Sequence, residues 1–292
     1  MIVEPASAKI NLALHVTGRR DDGYHMLESV VAFADFGDHV RAEAAAYDRF
    51  QVVGPFAPAL ASESDNLVLE ARAAFDVQLA ETGGKRTPVA ITLDKQLPIA
   101  SGIGGGSADA AATLRSLNRI ANRPLTGEIL SGLALGLGAD VPMCLASRAA
   151  IVSGIGERIV PLQDFRPLPA VLINPAVAVA TPAVFKALTN RSNPPLPIFD
   201  AEAAAGPGFP ESLAACRNDL EVPAIAVAPI IADVLDGLRK QPGCRLARMS
   251  GSGATCFGLF SSDETARQAE RNLKATQPAW WARACRLGGG PT

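Results

Sequence analysis

The residues best suited to chemistry lie in Leu97-Pro-Ile-Ala-Ser-Gly-Ile-Gly-Gly-Gly-Ser-Ala-Asp-Ala-Ala, residues 97–111. A strand-like run leads in and an Ala/Leu run of helical character leads out. Gly102, Gly104, Gly105 and Gly106 admit backbone conformations closed to larger residues and let a ligand approach the main chain. Exposed N–H groups at the start of the following helix, together with its dipole, then suit an anion. Two better-known phosphate motifs do not fit. No Gly-Lys follows the glycines, and Ser107 stands where G-x-G-x-x-G needs its third glycine. A glycine-rich turn with no ligand is the alternative.

Four further segments carry candidate groups. In Pro5-Ala-Ser-Ala-Lys-Ile-Asn-Leu, strand alternation puts Lys9 and Asn11 on one face and Ile10 and Leu12 on the other. Lys9 is one of only six lysines, and a solvated lysine on a surface strand is the plainer reading. Asp140, in Leu137-Gly-Ala-Asp-Val-Pro-Met, precedes a Val-Pro step that favours extended backbone, so a helix-to-strand corner is expected there. It matters chemically only if it meets Lys9. Asp22-Gly-Tyr-His is a turn whose Tyr24 and His25 suit stacking on a planar base and hydrogen bonding to its edge. Ser250–Ala254 is a small-residue loop entering an apolar strand, equally suited to a phosphate pocket or a tight turn.

These groups need a scaffold. Strands are expected at 8–16, Val30–Phe33, Val89–Leu93, Thr255–Phe260 and Trp280–Arg286. Helices are expected at 67–81 with Asp65 as cap, from Ser107 to about Ile120, at Thr126–Leu137, at Pro182–Leu188, at about 228–240, and at Glu264–Thr276 capped by Ser262. Short strands suit 150–168, and the proline-rich stretch 193–210 reads as a surface excursion. The irregular order argues for an α+β fold of two domains, 1–150 and 151–292, rather than one parallel α/β sheet.

Composition narrows the function. The 292 residues carry 27 Lys+Arg against 29 Asp+Glu, a net charge of −2, which does not suit bulk binding of nucleic acid. Hydrophobic residues reach 48%, but 52 of them are alanine, and no apolar run approaches the ~18 residues of a spanning helix. Five scattered cysteines without a CxxC suit neither a disulfide framework nor zinc, and three histidines are too few for a metal cluster. No signal peptide is recognisable at the N-terminus, and the expected compartment is the cytoplasm.

Together, residues 5–12, 98–108 and 250–254 resemble the three signatures of the superfamily of galactokinase, homoserine kinase, mevalonate kinase and phosphomevalonate kinase. Asp22-Gly-Tyr-His, Leu137-Gly-Ala-Asp-Val-Pro, Thr181-Pro with Phe185, and Asn218-Asp-Leu-Glu are similar to its branch acting on a cytidine-diphosphate-linked methylerythritol in the non-mevalonate isoprenoid route. The resemblance implies a two-domain kinase with the site in the interdomain cleft, using ATP and Mg2+, the metal's ligands unassigned and the oligomeric state open. It further implies Asp140 as catalytic base with Lys9 beside it, keeping it ionised. ATP would lie on Pro98, Ile99, Ala100, Ser101, Gly102, Ile103, Gly104, Gly105, Gly106, Ser107 and Ala108, with Lys95 and Asn66 lining the nucleotide pocket. Tyr24 and Phe185 would sandwich the cytosine, His25 would read its edge, and Asn11 and Thr181 would contact the substrate. The loop departs from the family's usual form at Ala100-Ser101-Gly102-Ile103, where smaller residues and a Leu are common, and at Ala108, where a second Ser is common. Another kinase of the superfamily, or a non-catalytic nucleotide-binding protein on the same fold, are the rival readings.

Overall fold

The computed structural model describes residues 1–60, 66–197, 206 and 208–289. Its frame is a ten-stranded sheet built on two long strands, β1 (Ile2–Arg19) and β2 (His25–Ala44), joined by a tight turn and paired antiparallel. β2 is the hub. Besides β1 it pairs with β4 (Val89–Asp94), β5 (Ala150–Gly154) and β10 (Trp281–Gly288). β3 (Arg49–Val53) adds in parallel to β4, and β6 (Arg158–Pro161) continues from β5. Beyond β10 follow β7 (Leu168–Asn174), β9 (Cys256–Phe260) and β8 (Cys244–Met249). The sheet therefore crosses residue 150 through hydrogen bonds, the last strand closing on the second at Leu287–Ala34 and Gly288–Phe33.

Helices cover the two ends. α1 (Ala57–Leu60), α2 (Leu67–Glu81), α3 (Gly105–Ile120), α4 (Gly127–Leu137) and α5 (Val141–Ala146) belong to the N-terminal part, where α3 packs against β1, β2, α2 and α5. α6 (Thr181–Ala187), α7 (Phe209–Ala214), α8 (Glu221–Val227), α9 (Ile230–Arg239) and α10 (Asp263–Thr276) belong to the C-terminal part. α10 carries the expected Ser262 cap, as a capping box with Thr265. The cap of α2 is Asn66, whose Oδ1 accepts from the Val68 N–H at 3.0 Å; Asp65 lies outside the described residues, as do 198–205 and 207 of the proline-rich stretch. Asp140 is corrected as well. It stands at a helix-to-helix corner, as N-cap of α5 with φ −86 and ψ −15, because a proline is tolerated in a helix's first turn.

The alanine excess has a packing reason. Ala110, Ala111 and Ala112 of α3 are fully buried, so the helix lies close against the sheet and its N-terminus comes down on the strands that carry the site. A larger side chain there has no space to fill. Ala111→Leu is expected to cost about 1–3 kcal/mol through overpacking, read as a lower midpoint in urea unfolding, whereas a neutral result would show a cavity beside α3.

Candidate active site

Lys9 occupies a strand position yet is 5% exposed, and Asn11 likewise, so both lie inside the molecule rather than on a solvated face. From Lys9 to Asn11 the strand keeps regular register and its side chains alternate between faces, and Ile10 and Leu12 are buried too because both faces of the strand are covered. The Lys9 Nζ lies 3.0 Å from Asp140 Oδ2 and 2.9 Å from Asn11 Oδ1. Asn11 Nδ2 donates to Ser29 Oγ at 2.7 Å, and that hydroxyl donates to the Ala13 carbonyl at 2.6 Å. Every Asn11 side-chain atom is thereby oriented, and the lysine tip is aimed. The Asp140 side chain remains 42% exposed, facing the cavity. Nearby, burial and then Asp140 push the Cys144 thiol up to about 12, so no thiolate nucleophile is available beside the pair.

The glycine-rich loop is held from both sides. The Lys9 backbone N–H donates to the Ile103 carbonyl at 2.9 Å, and the Thr255 N–H donates to the Ser101 carbonyl at 3.2 Å. Gly102, at φ +73, faces Gly253 so closely that a Cβ would stand 2.5 Å from the Gly253 carbonyl oxygen. Gly104, at φ +66, is the N-cap of α3, where a Cβ would press on the Lys9 side chain at 3.2 Å. Ser250 Oγ accepts from the Asn11 N–H at 3.0 Å, and Asn218 Nδ2 donates to the Met249 and Gly251 carbonyls, each at 2.8 Å. The late small-residue loop is thus a clamp on the early one.

Two cavities meet at this loop and share Gly102, Gly104 and Ser107. The smaller, about 420 Å³, is lined by Asn66, Lys95, Pro98–Gly102 and Gly104–Ser107. Ile103 and Ala108 do not line it; both are buried in the core, and Ile103 contributes its carbonyl to Lys9. Lys95 is no free cation. Its Nζ lies 2.5 Å from Asp38 and 2.7 Å from Asp109, and all three side chains are buried. Burial pulls the Lys95 ammonium down, but Asp109 and Asp38 together outweigh it and hold it above its ordinary value. Burial drives the Asp109 carboxyl from 3.8 to about 7 despite Lys95, and its Oδ1 has no hydrogen-bond partner.

The larger cavity, about 990 Å³, runs from Lys9, Asn11 and Asp140 to Tyr24, His25, Thr181 and Phe185. His25 stacks on Phe185, ring centroids 4.6 Å apart and planes 24° apart, while Tyr24 stands 62% exposed at the rim. The His25 Nε2 is buried without a partner, and burial, then Arg19 and Arg191, lower its pKa. A ring held neutral in this way can donate from one nitrogen and accept at the other. The Thr181 hydroxyl lies 2.7 Å from that of Ser252 in the clamp loop.

The comparisons agree with this geometry. The family model "GHMP kinases N terminal domain" matches residues 66–148, and "GHMP kinases C terminal" matches 208–279. A 4-diphosphocytidyl-2-C-methyl-D-erythritol kinase of Agrobacterium fabrum is 52% identical over 97% of this chain and 95% of its own. The chain belongs to the 4-diphosphocytidyl-2-C-methyl-D-erythritol kinase family. Another such kinase, from Cereibacter sphaeroides, is 51% identical over 97% of this chain and 98% of its own. A crystal structure of a 4-(cytidine 5'-diphospho)-2C-methyl-D-erythritol kinase superposes at a TM-score of 0.80, with 36% identity over 99% of this chain and 100% of that one. A homoserine kinase from Cytophaga hutchinsonii, at 18% identity and a TM-score of 0.66 over 99% of this chain and 95% of its own, shares the fold.

In this member of the kinase family several functional neighbours escaped sequence reasoning. Ser29 and Asp38 are common residue types in unremarkable contexts, and only their burial marks them, while Asp109 and Ser250 stood inside segments singled out for their glycines and small residues, with no sign of the partners they take. Asn218 stood in a recognised motif, with no sign that its amide would brace the clamp loop. Ala100 takes φ +50, a conformation that glycine adopts more readily.

The Asp38–Lys95–Asp109 cluster predicts a pH dependence. The folded protein keeps a proton on Asp109 that an unfolded chain releases near 3.8, so the stability this proton confers is complete at low pH and lost as pH rises through about 7. Asp109→Asn removes the loss and leaves Lys95 paired with Asp38. Relative to the parent, the variant should gain stability between pH 5 and pH 8 in urea unfolding; a difference independent of pH would mean that Asp109 is ionised throughout.

Proposed function

We propose that the protein transfers the γ-phosphoryl group of ATP to the 2-hydroxyl of 4-diphosphocytidyl-2-C-methyl-D-erythritol, a step of the non-mevalonate isoprenoid route. The observation that carries this reading is the Lys9–Asp140 pair, 3.0 Å apart, at the junction of two cavities that share Gly102, Gly104 and Ser107. ATP takes the smaller cavity, its phosphates on the N–H groups that begin α3, which lack intrahelical acceptors. The second substrate takes the larger one, its base against His25, Phe185 and Tyr24 and its polyol towards Asn11 and Asp140.

In this reading the substrate hydroxyl oxygen attacks the γ-phosphorus and passes its proton to the Asp140 carboxylate. The bond from that phosphorus to the β–γ bridging oxygen breaks, and its electrons leave with ADP. Lys9 holds Asp140 in place and offsets charge on the moving phosphoryl group. Such transfer asks mainly for positioning and charge stabilisation. Magnesium would come with the triphosphate and would supply charge neutralisation at its phosphate oxygens, and the Ser107 hydroxyl in the shared wall would be the side chain to meet it. Among the described residues no group of three or more His, Cys, Asp or Glu could hold a metal. We take the working units to be 1–150 and 151–292. A cytoplasmic setting suits five unpaired cysteines, and among the described residues no helix is long and apolar enough to cross a membrane.

Release of ADP from ATP should require both magnesium and the cytidyl substrate. Phosphorylation of mevalonate or homoserine with no response to that substrate would overturn the reading. Asp140→Asn should lower kcat by about 10²- to 10⁴-fold and leave cytidine nucleotide binding in place; unchanged turnover removes Asp140 as the base. His25→Ala should raise KM for the cytidyl substrate more than it lowers kcat, and the opposite split in steady-state kinetics would deny it a base-reading role.

A further inference from the structure

Charge is distributed unevenly between the two cavities. The smaller one has a single lysine on its wall, Lys95, and two carboxylates already occupy it. The larger one is bordered by Lys9, Arg19, Lys186 and Arg191. Lys9 is taken by Asp140 and Asn11. Among the described residues the other three face no carboxylate within ion-pair distance, although arginines elsewhere, such as Arg41, Arg72 and Arg115, sit on Asp94, Asp76 and Glu4. Asp22 also borders this cavity, but Arg20 holds it at 2.7 Å.

The three unpaired cations come from separate segments that the fold brings to one end. Arg19 closes β1. The turn that follows folds back on it, with the Arg20 N–H on the Tyr24 carbonyl at 2.8 Å and Arg19 Nε donating to the Gly23 carbonyl at 3.2 Å. Gly23, at φ +93, makes that turn possible. Lys186 follows the stacked Phe185 on α6. Arg191 lies in the segment after α6, which Asn193 pins by donating its backbone and side-chain N–H groups to the Val16 carbonyl at 3.0 and 3.1 Å. Arg19 and Arg191 are near enough to His25 for their charges to act on its ring. An aromatic stack in a cavity bordered by three unpaired cations suits a planar base that carries an anion.

We infer that Arg19, Lys186 and Arg191 form a side-chain clamp for the diphosphate of the nucleotide-linked substrate, beside the His25–Phe185 stack. The inference rests on the substrate reading above and deepens it. The protein then handles its two polyphosphates by different means. The triphosphate meets backbone N–H groups at a helix start. The diphosphate meets guanidinium and ammonium groups, which form charge-assisted and, for arginine, two-pronged bonds to phosphate oxygens. In a chain of net charge −2, this keeps free positive charge for the substrate that has no glycine loop to hold it.

The test compares cytidine 5'-diphosphate with cytidine in calorimetric binding to the whole protein. The parent should bind the diphosphate at least about tenfold more tightly, and the margin should shrink as salt rises. Combined Arg19→Gln, Lys186→Gln and Arg191→Gln should abolish the margin while cytidine affinity and KM for ATP stay within about twofold, and kcat/KM for the cytidyl substrate should fall about 10- to 100-fold, mostly through KM. Arg191→Lys alone should retain most of the preference, which separates lost charge from lost fold. A triple variant that still prefers the diphosphate overturns the clamp but not the substrate reading. A parent protein that binds neither ligand overturns both.

Discussion

Lys9 is the point on which the site's geometry depends, because one residue fixes two things at once. Its backbone N–H holds the Ile103 carbonyl of the glycine-rich loop, and its side chain holds Asp140. The loop's position and that of Asp140 are therefore set by the same short stretch of β1, and an error in one is an error in the other. Phosphoryl transfer is sensitive to such errors, since displacement of a reacting group by about 1 Å can cost 10²-fold in rate. The second cluster, Asp38–Lys95–Asp109, works on the same loop from below. It ties β2, the end of β4 and the first turns of α3 through one ammonium group, and Asp38 also takes the Gln96 and Leu97 N–H groups at 2.5 and 2.8 Å.

Close approach is the other condition, and it explains why small residues gather where they do. The early and late loops touch backbone to backbone at Gly102 and Gly253, and α3 can reach them only because its inner face is alanine. Small side chains remove bulk, but they also remove the hydrophobic area that larger ones would bury, at about 25 cal/mol per Å². Large buried side chains offset this, among them Phe33, Phe75, Phe209 and Phe257, and within the loop segment itself Leu97 and Ile103.

Much of this was readable in the residues. Helices with a cap and an amphipathic run stood out, and α10 with Ser262 is the plainest case. The glycine loop was readable because its composition has few other uses. Less visible were elements whose cause is tertiary. The outer half of β2, with its Gly37 and charged Asp35 and Asp38, does not alternate like a strand; it is one because β1 and β4 supply partners on both sides. α5 was hidden by its proline, which reads as a breaker until the first-turn position is known. β1 shows the limit of period-two reasoning, since Lys9 and Ile10 lie on opposite faces yet both are out of water, the strand being covered on each side. That Lys9 would meet Asp140 could not follow from spacing, because 131 residues separate them and only the fold closes that distance.

The low charge of the chain now has a structural meaning. Positive groups in a polyphosphate site attract any phosphate, and a free cation beneath the glycine loop would hold an anion in any orientation. Here the lysine beneath the glycine loop is committed to Asp38 and Asp109, and the lysine at the junction is committed to Asp140. What the helix start offers is directional N–H donors, which favour a phosphate seated in one orientation over an anion in general. Neutralised lysines close to the chemistry, and unpaired cations among the described lining residues of the larger cavity, give the two cavities different charge as well as different donors. Discrimination between two ligands that share a diphosphate then comes from where charge is left free, not from how much of it the protein carries.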